Sequence, residues 1–262
     1  MASIHLITFG GGGRNFERAA RRLVRQSLGF PEIVTARAFG PDDLDDDYNE
    51  MFPDFAQRYP RGYGLWSWKP YLICRHFENI PDGEYILYLD AGCELNHDGR
   101  SRFQDYLDFA QKNDVFIIQL ESKNIKWTKS DARLFPTQTF EEEDILQSGI
   151  LLFKVCKRTK NLVLDWLHIC ALDDGYLLKD VDGEPQSPRF IEHRHDQSCL
   201  TAVAAKYGIR GFHDETWYPV SPIKAFLTNT SDKPILALRN KDGVSFLPLI
   251  RFLSWFLKLK RD

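Results

Sequence analysis

Three short stretches of the sequence carry residues whose types and spacing suit chemistry. The first is Ile86-Leu87-Tyr88-Leu89-Asp90-Ala91-Gly92-Cys93-Glu94. An apolar run that stops at Asp90 places a carboxylate at the end of a strand, where open α/β sheets bind ligands. Gly92 lets a ligand approach the backbone closely. Asp90 is suited to a divalent cation or a ribose hydroxyl; the plainer reading is a turn aspartate satisfying local N–H groups. The second is His193-Arg194-His195-Asp196-Gln197-Ser198, at the start of an apolar helical run. A carboxylate there is kept ionised by the helix dipole and the unpaired N–H groups; the plainer reading is an N-cap. The third is Arg61-Gly62-Tyr63-Gly64-Leu65-Trp66-Ser67-Trp68-Lys69-Pro70-Tyr71. Aromatic rings interleaved with glycine and cations suit a wall that stacks a base and neutralises phosphate; the plainer reading is a glycine-rich turn leading into a tryptophan-packed helix. Gln147-Ser148-Gly149 is a lesser candidate, readable as a simple turn. So is Gly10–Gly13 with Arg14, a phosphate cradle before a helix that matches neither common phosphate-loop pattern.

The elements that must position these residues alternate. Ile4–Phe9 reads as a buried strand ended by glycines. The next segments read as a helix over Asn15–Leu28, with an apolar face and Gly29 at its end, and a strand over Ile33–Phe39. Further strands are predicted at Glu84–Leu89, Asp114–Leu120 and Ile150–Val155. Further helices are predicted at Lys69–Phe77, Arg102–Lys112, Lys160–Leu172 and Gln197–Tyr207. This β-α-β opening predicts an α/β fold with a mostly parallel central sheet and helices on both faces. Pro41–Arg61, with Asp42, Asp43 and Asp45–Asp47, reads as a solvated acidic loop. It lacks the spacing of a calcium loop.

Composition sets outer limits. The chain has 262 residues, 43% apolar and 13% aromatic, with a formal charge of −3. That excludes general disorder and argues against broad nucleic-acid binding, which needs a basic field. The 19 Phe, 10 Tyr and 6 Trp divide between core packing and a cleft that stacks flat groups. The five cysteines are odd in number with no CxxC pair, so they read as reduced, buried thiols of a cytoplasmic protein. No signal peptide and no membrane-spanning run is evident.

Taken in order, these motifs resemble a GT-A-type glycosyltransferase: a first strand ending at Phe9-Gly10, then Trp68-Lys69-Pro70, then Leu87-Tyr88-Leu89-Asp90-Ala91-Gly92, then Gln147-Ser148-Gly149-Ile150, then His195-Asp196-Gln197-Ser198. The chain looks like the small enzymes of bacterial capsule and lipopolysaccharide synthesis. It is distantly similar to the glycogenin-like group. The resemblance covers residues 1–220. It implies transfer of a sugar from a nucleotide sugar to a hydroxyl of a glycan or lipid-linked acceptor. Asp196 and Gln197 become the catalytic candidates. Phe9, Gly10, Tyr63, Trp66, Lys69, Asp90, Ala91, Gly92, Gln147, Ser148 and Gly149 become the donor-binding candidates.

A divalent cation, Mn2+ or Mg2+, is implied at Asp90. Gly92, however, stands where the second aspartate of the family's Asp-x-Asp pair is expected, so His213 or Glu94 would have to compensate. The domain expectation is residues 1–244 for the transferase and 245–262 for a basic amphipathic helix. Phe246, Leu249, Phe252, Trp255 and Phe256 beside Lys258, Lys260 and Arg261 suit the cytoplasmic face of a membrane. Docking of that helix on the core or on a second subunit is the alternative. Two rival functions stay open: a sugar-phosphate nucleotidyltransferase, suggested by Gly10–Arg14, and a non-catalytic glycan- or lipid-binding module, suggested by the missing second aspartate.

Overall fold

A computed structural model describes residues 2–132, 138–216, 232–249 and 251–252. The expected α/β class is the observed one. Six strands form the central sheet: β1 (Ile4–Phe9), β2 (Ile33–Phe39), β3 (Tyr85–Leu89), β5 (Val115–Lys123), β6 (Asp144–Lys154) and β7 (Phe212–His213), in the order β2-β1-β3-β6-β5-β7. A second, two-stranded sheet pairs β4 (Glu94–Leu95) with β8 (Ile235–Leu236). Within the large sheet β1 is parallel to β2 and β3, and β5 to β7. Only β6 runs against its neighbours β3 and β5.

Alternating side chains divide the core between the two faces. Ile4, Leu6, Leu87, Leu89, Ile150 and Leu152 pack with Phe103 and Tyr106 on one side. Ile7, Phe9, Ile86, Tyr88, Leu151 and Phe153 pack with Leu72, Trp166 and Val203 on the other. Burial on both faces explains why these strands read as continuous apolar runs rather than as alternating ones. The first face is covered by α1 (Arg14–Ser27) and α3 (Arg100–Asn113), the second by α2 (Trp68–Phe77), α4 (Lys157–Gly175) and α5 (His195–Lys206).

Two segments differ from expectation. Gln147-Ser148-Gly149 lies inside β6, not ahead of it, because the strand starts at Asp144 and pairs with β5 before it reaches β3. The acidic stretch after β2 contains short helices at Asp46–Met51 and Phe55–Arg58 that bury Tyr48, Phe52 and Phe55. Asp45 caps the first of them through the Tyr48 N–H and accepts from the Tyr71 hydroxyl. The acidic run therefore helps to seat α2. All five cysteines are free thiols, three of them buried. Among the described residues no helix is long and apolar enough to cross a membrane. The C-terminal helix expected at 245–262 falls mostly outside the described residues.

Candidate active site

A cleft of about 620 Å³ opens where β1 and β3 end. Its floor is built by three elements. β3 stops at Leu89, and the Asp90 N–H extends the pairing with β6 by donating to the Gly149 carbonyl at 2.9 Å. Asp90 then shares a strand face with Tyr88, two residues back, and the Tyr88 hydroxyl donates to Asp90 Oδ1 at 2.6 Å. Gly149 makes room for this carboxylate, since a Cβ there would sit 2.6 Å from Asp90 Oδ2.

α2 contributes Lys69, which is 1% exposed. Proline at position 70 is tolerated because it falls in the first helical turn, where N–H groups have no intrahelical partner. The Lys69 ammonium lies 2.9 Å from Asp196 Oδ2, 3.3 Å from Asp90 Oδ1 and 3.1 Å from Ser148 Oγ. Asp196 belongs to the first turn of α5 and is 4% exposed. Its backbone carbonyl accepts from the Trp166 indole at 3.0 Å.

Burial and charge oppose each other here. Burial alone would lower the Lys69 pKa, but Asp196 and Asp90 outweigh it and hold the ammonium above the usual lysine value. Contrary to the ionising effect expected of a helix start, burial raises the Asp196 carboxyl despite Lys69. Burial, followed by Asp90, pushes the Tyr88 hydroxyl well up, so it stays a donor to that carboxylate. The result is one buried cation held between a buried and a half-exposed carboxylate.

The aromatic wall has an unusual backbone. Gly62, Tyr63, Gly64, Leu65 and Trp66 all have positive φ, from 51° to 86°. Three of the five carry a Cβ, and each such residue costs roughly 1–2 kcal/mol in a left-handed turn. The turn is held by the Gly64 N–H to the Tyr59 carbonyl and by the Trp68 indole to the Gly62 carbonyl, both at 2.9 Å. The Trp66 ring lies against Gly62, where a Cβ would be inside van der Waals contact. Phe9 stacks on Trp68 at 4.0 Å and meets Tyr63 at 5.8 Å. Strain of this kind concentrates at functional sites.

The cleft gathers most of the residues singled out from sequence: Phe9, Tyr63, Trp66, Lys69, the Asp90-Ala91-Gly92 turn, Gln147-Ser148-Gly149, Asp196 and Gln197 all line it. Two candidates stand apart. Gly10 packs on α1, where a Cβ would meet Glu17 Cα at 2.9 Å, so its role there is close approach of strand to helix. His213 is on edge strand β7, exposed, 3.4 Å from Glu215, and does not line the cleft.

Sequence reasoning missed Tyr88, whose i, i+2 relation to Asp90 was the available signal. It included Arg194 within the His193–Ser198 stretch without giving it a role, and it missed Arg239 and Lys241; all three line the cleft, and for the last two no local pattern exists.

The residues do not suit a carboxylate-bound divalent cation. Asp90 Oδ1 is engaged by Tyr88 and Lys69. Gly92 offers no side-chain donor. Glu94 is fully buried and accepts from Gln26, Asn240 and the Phe246 N–H. Among the described residues no group of three His, Cys, Asp or Glu side chains is poised to share an ion.

Solved structures of similar layout exist. The likeness is to glycosyltransferases. One is an enzyme involved in glycosylation of the major capsid of PBCV-1, at 11% identity and a TM-score of 0.48, covering 97% of this chain and 99% of that one. Another is mouse xyloside xylosyltransferase 1, at 12% identity and 0.45, covering 90% and 97%. A third is the galactosyltransferase LgtC in complex with donor and acceptor sugar analogues, at 12% identity and 0.42, covering 92% and 84%. No family model matches the chain, and no curated protein matches it in sequence.

Proposed function

We propose that this chain transfers a sugar from a nucleotide-sugar donor to a hydroxyl of a glycan or lipid-linked acceptor. The observation that carries the reading is the Lys69 ammonium held between Asp90 and Asp196 on the floor of an aromatic-walled cleft at the strand ends. Departure of a nucleoside diphosphate leaves positive charge at the sugar carbon and negative charge on the leaving group. A carboxylate fixed by Lys69 answers the first demand. In this reading Asp196, with Gln197, faces the reacting sugar carbon or the acceptor hydroxyl. Asp90, its Oδ1 fixed by Tyr88 and its side chain 42% exposed, accepts from a ribose or sugar hydroxyl. Tyr63 and Trp66 supply flat faces for the base.

A thermal-shift screen across nucleotide sugars identifies the donor, because a ligand that binds the native state raises its stability. With that donor, Asp196→Asn is expected to leave binding within a few-fold and to lower turnover by about 10²-fold or more. Unchanged turnover sinks the assignment. Pyrophosphate release from a sugar phosphate and a nucleoside triphosphate would instead identify a nucleotidyltransferase. Binding without turnover on any acceptor would identify a non-catalytic module.

We further propose a role in surface-glycan synthesis at a cytoplasmic membrane face. Exposed Phe246, Leu249 and Phe252 precede the basic end of the sequence, a combination that suits an anionic lipid surface.

A further inference from the structure

Gly92 stands where the expected Asp-x-Asp pair would place its second carboxylate, and another part of the chain fills that space. The segment Ala237–Lys241 crosses directly over it. The Asn240 N–H donates to the Gly92 carbonyl at 2.9 Å. A Cβ on Gly92 would lie 3.1 Å from the Arg239 Cα and 3.3 Å from the Arg239 carbonyl carbon, so a side chain there would push on backbone.

The crossing is firmly held. β8, just upstream, pairs with β4. The Asn240 amide donates to buried Glu94 at 2.7 Å. The buried Arg22 guanidinium donates to the carbonyls of Ala91 and Cys93 at 2.8 Å and of Asn240 at 3.2 Å, joining the turn after β3 to the crossing segment.

What this segment brings to the cleft is charge. Arg239 and Lys241 are exposed and line it. The Lys241 ammonium sits 5.3 Å from the ring of Phe16, beside the glycines that follow β1. Arg194, at the start of α5, lies over Trp127 and lines the cleft too. Its guanidinium is lowered first by burial and then, against the pull of Glu192, by Arg239 and Arg61. Arg194 is paired with Glu192 at 2.8 Å, yet Arg239 and Arg61 still act on it as like charges, and a polyanion in the cleft relieves such repulsion.

We infer that Arg239, Lys241 and Arg194 bind the diphosphate of the donor directly, in the role that a carboxylate-held divalent cation would otherwise fill. This rests on the glycosyltransferase reading for the identity of the donor, but the binding chemistry is that of a diphosphate. Guanidinium groups bind phosphate oxygens in pairs, and an ammonium adds a point charge.

The test is calorimetry on the full chain with UDP, GDP and inorganic pyrophosphate, in EDTA and then in manganese. Binding of pyrophosphate and of at least one nucleotide is expected in EDTA, changed by less than about threefold by the metal. Arg239→Gln with Lys241→Gln is expected to weaken both by at least about tenfold, or roughly 1.4 kcal/mol. Affinity for the matching nucleoside should stay unchanged. The two side chains are exposed, so the thermal midpoint serves as the control for folding. Binding that appears only with manganese, or that survives the double substitution intact, overturns the inference. Pyrophosphate capture in EDTA without sugar transfer would leave it standing and overturn the glycosyltransferase reading. Sugar transfer that depends on manganese would do the reverse.

Discussion

Lys69 is the residue on which the site turns. An ammonium with 1% exposure survives in the interior because Asp196 and Asp90 sit within 3.3 Å of it. A buried pair adds little net stability over an apolar replacement of both partners, yet removing one partner strands the other. Lys69→Met should therefore cost about 3–5 kcal/mol in urea unfolding at neutral pH. The loss should shrink on acidification, as the already raised Asp196 carboxyl takes up a proton. An unchanged midpoint at pH 7 would show that the ammonium does not hold Asp196. At this scale the sequence was informative wherever a residue type was unusual for its place. Asp90 after an apolar run, Lys69 between tryptophan and proline, and Asp196 at a helix start all drew notice before any fold was known. Tyr88 escaped because a tyrosine within a strand looks like core until its hydroxyl finds a partner.

Elements were legible where both the period and its end signals were strong. β1 and β2 occupy the expected spans, and α1, α2, α4 and α5 fall within a few residues of theirs. The misplaced feature was Gln147-Ser148-Gly149, whose polar and glycine residues suggested a turn. In the fold the same residues lie within an eleven-residue strand that pairs with β5 before it reaches β3, and Gly149 stays small beneath Asp90.

The junction around His193 carries its own prediction. His193 Nε2 donates to the Leu177 carbonyl at 2.8 Å, while Nδ1 accepts the Lys129 N–H at 3.4 Å. That pattern requires the neutral ring. Burial, then His195, lowers its pKa from 6.5 to about 3. The unfolded chain takes up this proton first as pH falls. The contribution is thus present above about pH 6.5 and declines toward pH 3, with a slope approaching about 1.4 kcal/mol per pH unit. His193→Gln should be less stable at pH 7 and show a flatter decline between pH 6.5 and 4. Parallel curves for the two proteins would contradict the neutral-ring assignment.

At the scale of the whole molecule, a formal charge of −3 conceals an uneven layout. Carboxylates hold the floor of the cleft while arginines and a lysine enter from its walls, and the sequence ends in Lys258, Lys260 and Arg261. That distribution predicts attachment to anionic vesicles, weakened by salt because screening shortens the reach of the charges. Removal of residues 246–262 should abolish flotation with such vesicles. Full-length protein that never floats with them would end the membrane proposal. This scale was the least legible from sequence. The apolar pattern reports which face of an element is buried, but not which distant segment crosses a turn. Nothing local to Gly92 announces Arg239.

The crossing of Ala237–Lys241 over Gly92 also has a consequence for how the protein is made. Glu94 and Asn240, which help to fasten it, are 146 residues apart in sequence. A chain emerging from the ribosome with its N-terminus first can assemble β1, β3, β6 and the Lys69 floor well before Arg239 and Lys241 are synthesised. Until then the cleft has its carboxylates but lacks two of its cations. With the diphosphate held as proposed, capture begins only when translation has delivered the segment that closes over the turn.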